Sequence, residues 1–190
     1  HRYKLSRKKV DLIIAYSAPS LSLIVAHGKD FFPQTPLVFS GIPRAQLNRL
    51  NLKSPMITGV LLDIDYEGLL ETALKIHPQT RHVAVVNGAS NTDLFFEKEV
   101  REALDPYAKR LDFIYLTRLP LDNILKKVQD LPEHSVVLFY ILTRDGEGKG
   151  FPPWEAASMV AEAASAPVYG CLDSYFGHGI VGGRMSSMEM

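Results

Sequence analysis

His82–Gly88 reads HVAVVNG, and Ser135–Thr143 reads SVVLFYILT. Both runs are apolar without alternation. That pattern suits parallel strands buried on both faces of a sheet, whereas a strand with one wet face alternates. Each run ends at a small or polar residue. Three others behave the same way: Val10–Ser17 (VDLIIAYS), Pro36–Gly41 (PLVFSG) and Pro167–Ser174 (PVYGCLDS). Met56–Leu62 (MITGVLL) and Asp112–Leu116 read as shorter strands. Ligands of open parallel sheets bind just beyond the carboxyl ends of the strands, so these runs point to a set of loops before they point to any chemistry.

Helical periodicity fills the intervals. Tyr66–Ile76 places Leu69, Leu70, Ala73, Leu74 and Ile76 at helical spacing, and Pro78 stops it. Asn91 or Thr92 is expected to cap a helix over Asp93–Tyr107, where Phe95, Phe96, Val100, Ala103 and Leu104 share a face. Leu121–Leu131 keeps Leu121, Ile124, Leu125 and Val128 in register. Ala18–His27 and Pro153–Ala164 complete the set, and a short helix fits Arg44–Leu50. Strand–helix alternation implies an α/β fold with parallel sheets. The looser stretch Ile42–Pro55 interrupts it, and Leu62–Tyr66 (LDIDY) opens a fresh series. The expected division is a lobe over 1–62, a second α/β lobe over 63–176, and a terminal segment 177–190. With three strands, the first lobe is thin for an independent sheet.

Composition narrows the function. Lys+Arg (21) balance Asp+Glu (21), so there is no basic field to favour nucleic acid. The basic cluster at His1–Lys9 reads as a solvated helix end, since only Tyr3 among its residues could stack on a base. No run has the length of a membrane span. The single cysteine, Cys171, excludes a disulfide framework and follows a buried strand, where it reads as a small core residue. The six histidines (His1, His27, His77, His82, His134 and His178) form no H-x-H or H-E-x-x-H pattern, so neither a metal nor another cofactor is expected.

Several motifs reduce to simpler readings. Gly177–Gly182 matches G-x-G-x-x-G, but a dinucleotide fingerprint needs the strand to end at its first glycine and an acidic residue about 20 positions on. It reads as a turn and crossing segment. Gly146-Glu-Gly-Lys-Gly150 lacks phosphate-loop spacing and reads as a flexible surface loop. Ser17, Asp173 and His178 could be drawn as a triad, but no G-x-S-x-G elbow surrounds Ser17 or Ser40. Ser17-Ala-Pro-Ser20 reads as a helix N-terminus able to accept an anionic group, and Ser40-Gly41 lets backbone approach a ligand. The polar strand ends Ser17, Ser40, Asn87, Asn91, Tyr140, Thr143, Asp173 and Tyr175 suit recognition of a small polar or aromatic molecule. Taken singly, each could equally serve a turn.

These phrases carry a resemblance. VDLIIAYSAPSL, TPLVFSGI, ITGVLLDID and HPQTRHVAVVNG, in that order, resemble the periplasmic-binding-protein type I superfamily. Within it they are similar to ABC-transporter substrate-binding proteins of the tryptophan/tyrosine type. Ile57-Thr-Gly-Val60 and Ala166-Pro-Val-Tyr-Gly170 are the most family-like. HGIVGGRMSSMEM resembles the stretch that crosses back toward the first lobe in extracytoplasmic sensor regions of bacterial histidine kinases. The resemblance implies two Rossmann-like lobes, with the first lobe truncated because the family's first strand and final strands are missing. It places ligand contacts near Ser17, Ala18, Ser40, Gly41, Asn87, Asn91, Tyr140, Asp173 and Tyr175.

The function expected from it is noncatalytic small-molecule sensing, with an amino-acid-like or aromatic ligand and signalling by lobe closure. The domain would be extracytoplasmic, in the periplasm, tethered to the inner membrane by flanking segments and free to form a homodimer. The alternatives are an ABC-importer binding component, an enzyme on a doubly wound sheet, and a structural or dimerisation module.

Overall fold

In a computed structural model the chain is described at residues 10–27, 34–50, 52 and 54–186. The basic cluster His1–Lys9 and residues 187–190 lie outside the described residues. The strands are β1 (Ile13–Tyr16), β2 (Leu37–Ile42), β3 (Ile57–Leu61), β4 (His82–Asn87), β5 (Asp112–Leu116), β6 (Ser135–Ile141) and β7 (Val168–Gly170). The helices are α1 (Ala18–His27), α2 (Arg44–Arg49), α3 (Tyr66–Ile76), α4 (Asn91–Leu104), α5 (Leu121–Gln129) and α6 (Pro153–Ala163). The described residues divide into two compact units between Ile64 and Asp65. All strand pairs are parallel, as the unbroken apolar runs require.

The second unit holds the sheet β5-β4-β6-β7. Its two central strands have buried residues on both faces: Val83–Val86 in β4 and Val136–Phe139 in β6 are all fully buried. Ala84, Val86, Val137 and Phe139 pack on one side against Leu121, Ile124 and Val128 of α5 and Ala156, Ala157 and Val160 of α6. Because side chains alternate along a strand, Val83, Val85, Val136 and Leu138 turn to the other side, where α3 and α4 lie against β4, β6 and β7. Leu69, Leu70 and Ala73 of α3 and Phe96, Val100 and Leu104 of α4 are buried there. Ile76, in periodic register with this face, is exposed at the end of α3. Beyond β7, Gly182 and Ser186 make isolated parallel bridges to Tyr169 and Leu172, so the glycine-rich segment runs on along the strand edge after its turn.

The first unit is the sheet β1-β2-β3. Here the expectation of burial on both faces fails. Ala15, Leu37, Phe39 and Ile42 pack with Leu21 of α1 and Leu47 of α2. On the opposite face Ile14 is 71% and Tyr16 58% exposed, in register with Val38 and Ser40 of β2. Among the described residues both helices cover the same face, which leaves the other open.

Two local expectations are corrected. The cap of α4 is Ser90, not Asn91 or Thr92. Its hydroxyl accepts the Asp93 N–H at 3.1 Å while the Asp93 carboxylate accepts the Ser90 N–H at 3.0 Å, a reciprocal capping box. The glycine-rich loop after β6 is a tied turn, not a flexible one. The buried Asp145 carboxylate accepts the N–H groups of Lys149 (2.9 Å), Glu147 (3.0 Å) and, across the chain, Leu121 at the start of α5 (3.2 Å). Gly146 lies hard against the Arg118 carbonyl, where any side chain would collide. Burial alone would push the Asp145 carboxyl up, but the backbone N–H groups of Leu121, Lys149 and Glu147 outweigh it and hold the carboxyl below the usual range.

Ser90→Ala is expected to lower stability by about 1 kcal/mol and Asn91→Ala by less than about 0.5 kcal/mol, measured by urea unfolding of the two variants. A depressed folded pKa gives stability that is present above the unfolded carboxylate pKa and lost as pH falls through the folded value. Asp145→Asn is therefore expected to cost about 1–3 kcal/mol at pH 7. The gap to wild type should narrow as pH falls below about 4, measured as melting temperature against pH.

Candidate functional site

The sheet of the second unit changes direction at its first strand. From β4 the chain passes through α4 to β5 on one side, and then through α5 to β6 on the other. The carboxyl ends of β4 and β6 therefore flank a topological switch point, the place where such sheets bind ligands. Asn87, Asp93, Glu97 and Asp145, four of the five buried polar or charged residues among those described, gather at this edge.

Asn87 ends β4. Its amide oxygen accepts the Ile141 N–H at 3.2 Å and its amide nitrogen reaches the Asp93 carbonyl at 3.4 Å, joining β4, β6 and α4. The Asp93 carboxylate accepts the Thr143 hydroxyl at 2.9 Å and the N–H groups of Thr143 and Arg144 at 3.3 Å. Ser90 Oγ stands 2.7 Å from Thr143 Oγ1. Since the Thr143 proton goes to the carboxylate, Ser90 is the donor in that pair. Gly88 lies so close to the Asp93 carboxylate and the Arg144 carbonyl that a Cβ there has no room.

One turn further along α4, Glu97 repeats the arrangement toward β5. Its carboxylate accepts Thr117 Oγ1 at 3.0 Å, Arg101 Nε at 3.0 Å and Arg118 Nε at 3.3 Å. The Arg101 guanidinium also lies 3.6 Å above the Tyr115 ring, a cation–π contact. Burial would raise the Glu97 pKa, but hydrogen bonds from Arg101 and Thr117 and the charges of Arg101 and Arg118 reverse it and hold the group ionised.

Asp93 and Glu97, four residues apart on one helix face, thus grip two matching turns: Leu116-Thr117-Arg118 after β5 and Leu142-Thr143-Arg144 after β6. The turns are tied to each other as well, because the Gly146 N–H donates to the Leu119 carbonyl at 2.9 Å. Sequence reading missed Ser90, Asp93, Glu97, Thr117, Arg118 and Arg144. The signals were present in the Ser90-x-x-Asp93 box and in the doubled Leu-Thr-Arg.

The residues expected at the site fall into distinct settings. In the first unit Ser17 joins β1 to α1 with a left-handed backbone (φ 72°), and its N–H donates to the Ser40 carbonyl at 3.0 Å. Ala18 opens α1 and is half-buried. Gly41, also left-handed (φ 69°), sits at a register shift in β2 beside the Tyr16 ring. Ser17, Ala18, Ser40 and Gly41 therefore come together at the carboxyl ends of β1 and β2.

In the second unit Asn91 is exposed on the first turn of α4, and Asp173 is half-buried in a 3-10 turn after β7. Tyr140 and Tyr175 are buried: Tyr175 Oη donates to the Tyr140 carbonyl at 2.7 Å, and Tyr140 Oη to the Tyr66 carbonyl at 3.4 Å. Their hydroxyls, like the Asn87 amide, hold the edge from beneath. Burial pushes the phenol pKa of both tyrosines well up, and pushes the Cys171 thiol up to about 12, so these groups stay protonated and un-nucleophilic near neutral pH. A cavity of about 650 Å³ in the first unit lies between α2 and the sheet, lined by Phe39, Leu47, Leu52, Ile57 and Gly59, and none of the expected residues lines it. Among the described residues no three His, Cys, Asp or Glu side chains cluster to hold a metal, and no helix is long and apolar enough to cross a membrane.

No family model matches the chain, and no curated protein matches it. Its fold is similar to solved structures at low identity. A conserved domain protein from Vibrio cholerae aligns over 95% of this chain and 60% of its own at 18% identity, with a TM-score of 0.67. The ABC domain in complex with L-Trp from Streptococcus pneumonia aligns over 98% and 62% at 14% identity, with a TM-score of 0.62. A ligand-free, open substrate-binding protein with adhesive properties from Clostridium difficile aligns over 90% and 57% at 17% identity, with a TM-score of 0.56. The chain thus spans about 60% of the length of each of these three structures. The fold is α/β with parallel sheets, of the kind found in substrate-binding proteins.

Proposed function

We propose that this chain is a small-molecule-binding domain that holds its ligand at the carboxyl ends of its parallel strands, without catalysing a reaction. The observation that carries the reading is the state of the acidic groups at the switch point. Asp93, Glu97 and Asp145 spend their oxygens on backbone and side-chain donors that shape the loops. The Glu97 and Asp145 carboxyls are held below their usual range, away from the raised, near-neutral value that a general acid or base needs. Likeness to a fold seen with L-Trp bound supports an amino-acid-like or aromatic ligand. Ser17, Ala18, Ser40 and Gly41 are the proposed contacts in the first unit, and Asn91 and Asp173 in the second. Asn87, Tyr140 and Tyr175 act by positioning the loops.

The wider setting belongs to the same proposal. The domain is extracytoplasmic and serves as the ligand-sensing part of a membrane histidine kinase, passing on occupancy as closure of its lobes. Service as the binding component of an importer fits the same fold, and the sequence following Met190 in the whole gene separates the two.

A ligand bound only by the native state raises its stability by about 2.7 kcal/mol at a hundredfold excess over Kd. At least one member of a panel of L-amino acids, including L-tryptophan, and small aromatic acids is therefore expected to raise the melting temperature by several degrees. The same panel run on Ser17→Gly locates the site. Glycine accepts the left-handed backbone that costs serine about 1–2 kcal/mol, so the free variant should melt within a few degrees of wild type while its ligand-induced shift falls. No shift from any compound, or a full shift in Ser17→Gly, contradicts the reading in turn for binding and for this site.

A further inference from the structure

The doubled Leu-Thr-Arg turn places two arginines at one sheet edge, and each keeps guanidinium nitrogens without a partner among the described residues. Arg118 follows β5 with a left-handed backbone (φ 58°), a conformation costly for a side-chain-bearing residue and retained only where the surroundings enforce it. The enforcement is visible: Thr117 is held by Glu97, and Gly146 is pressed against the Arg118 carbonyl. The Arg118 side chain stays 64% exposed and gives only its Nε to Glu97, whose other oxygen is taken by Arg101 and Thr117. The outer two nitrogens of Arg118 have no hydrogen-bond partner among the described residues. Arg144 follows β6; its backbone is fixed by Asp93 and Ala89, while its exposed side chain has no partner among the described residues.

β5 and β6 lie on either side of β4, so the two turns emerge two strand spacings apart, about 10 Å. Between them run the β4 loop and the start of α4, whose positive dipole end is already met by the Asp93 carboxylate. Glu97 is paired with Arg101, and the Asp93 and Asp145 carboxylates are engaged by backbone and hydroxyl donors, so Arg118 and Arg144 are the groups that offer side-chain donors outward at this edge.

We propose that Arg118 and Arg144 form an oxyanion-recognition site at the switch point, built to take the carboxylate or phosphate group of a small molecule. The assignment rests on the binding function proposed above and names the chemical class of its ligand. An open guanidinium edge presents paired N–H donors that match a carboxylate or phosphate in bidentate fashion. Asp93 and Glu97 act as positioning residues, setting the backbone from which each arginine projects. The neutral polar contacts expected from sequence, Asn91 and Asp173, would then serve the remainder of the ligand.

The test uses inorganic phosphate and acetate as separate probes, titrated into the protein at constant ionic strength set with chloride and followed by chemical shifts of backbone amides. Phosphate, acetate or both should saturate at the amides of residues 117–119 and 143–145. Arg118→Gln and Arg144→Gln should each weaken that binding about tenfold or more, and Lys127→Gln should leave it unchanged as a control for lost charge. Arg144→Gln removes no internal contact, so its melting temperature should match wild type and its result stands even if Arg118→Gln folds poorly. The arm that saturates tells whether phosphate or carboxylate is preferred. Equal binding in wild type and both arginine variants, or saturation by neither probe, overturns the assignment. A compound from the amino-acid panel that binds both arginine variants with wild-type affinity also overturns it and leaves the binding function standing.

Discussion

The carboxylate of Asp93 is the constraint on which the carboxyl edge of the four-stranded sheet depends. It caps its own helix through Ser90 and reaches across to β6, where it collects a hydroxyl and two backbone N–H groups from Thr143 and Arg144. A buried carboxylate is costly unless its oxygens are satisfied, and here each donor comes from a loop that would otherwise be free to wander. The ion's need for partners therefore becomes the loops' definition of shape. Glu97 does the same one helical turn later for the loop after β5, and Asp145 joins the two loops to each other and to the start of α5.

This arrangement separates two jobs that acidic residues often perform. Carboxylates that do acid–base chemistry keep an oxygen open and a pKa near the working pH. Those of Asp93, Glu97 and Asp145 face inward and are spent on structure. The groups left open at the same edge are donors: the arginine side chains after β5 and β6. An edge with its carboxylates engaged and its arginine donors open is what the proposed binding of an acceptor-rich ligand calls for. In the first unit the same logic operates on a smaller scale, where the left-handed Ser17 and Gly41 bring two strand ends and the start of α1 together.

Much of the fold was legible in sequence because apolar periodicity is local. The strand runs at Leu37–Ile42, His82–Asn87 and Ser135–Ile141 lie where the unbroken hydrophobic stretches put them, and the helices follow their 3.6-residue pattern. The order β5-β4-β6-β7 was not legible, since nothing local specifies which strand sits beside which. The site was read in outline only. Polar strand ends pointed to the loops at the carboxyl ends of the strands, where Asn87, Tyr140 and Tyr175 are buried, and the residues that organise the edge pair across long sequence distances, as Asp93 does with Thr143. A turn rich in glycine looked flexible because its fastening, Asp145 to Leu121, is tertiary. The uncovered face of β1–β3 could not be foreseen from composition, because Ile14 and Tyr16 are as apolar as the core residues beside them.

The central claim is that the Asp93 carboxylate and the Thr143 turn form one energetic unit that shapes the carboxyl edge of this sheet. A double-mutant cycle measures it directly: unfolding free energies of wild type, Asp93→Asn, Thr143→Val and the double variant, by urea titration at pH 7. Coupling between the two sites should be about 1–3 kcal/mol, with the double variant less destabilised than the sum of the single ones. Additivity to within about 0.3–0.5 kcal/mol would show that the two residues are neighbours without being partners, and the account of the edge would fail.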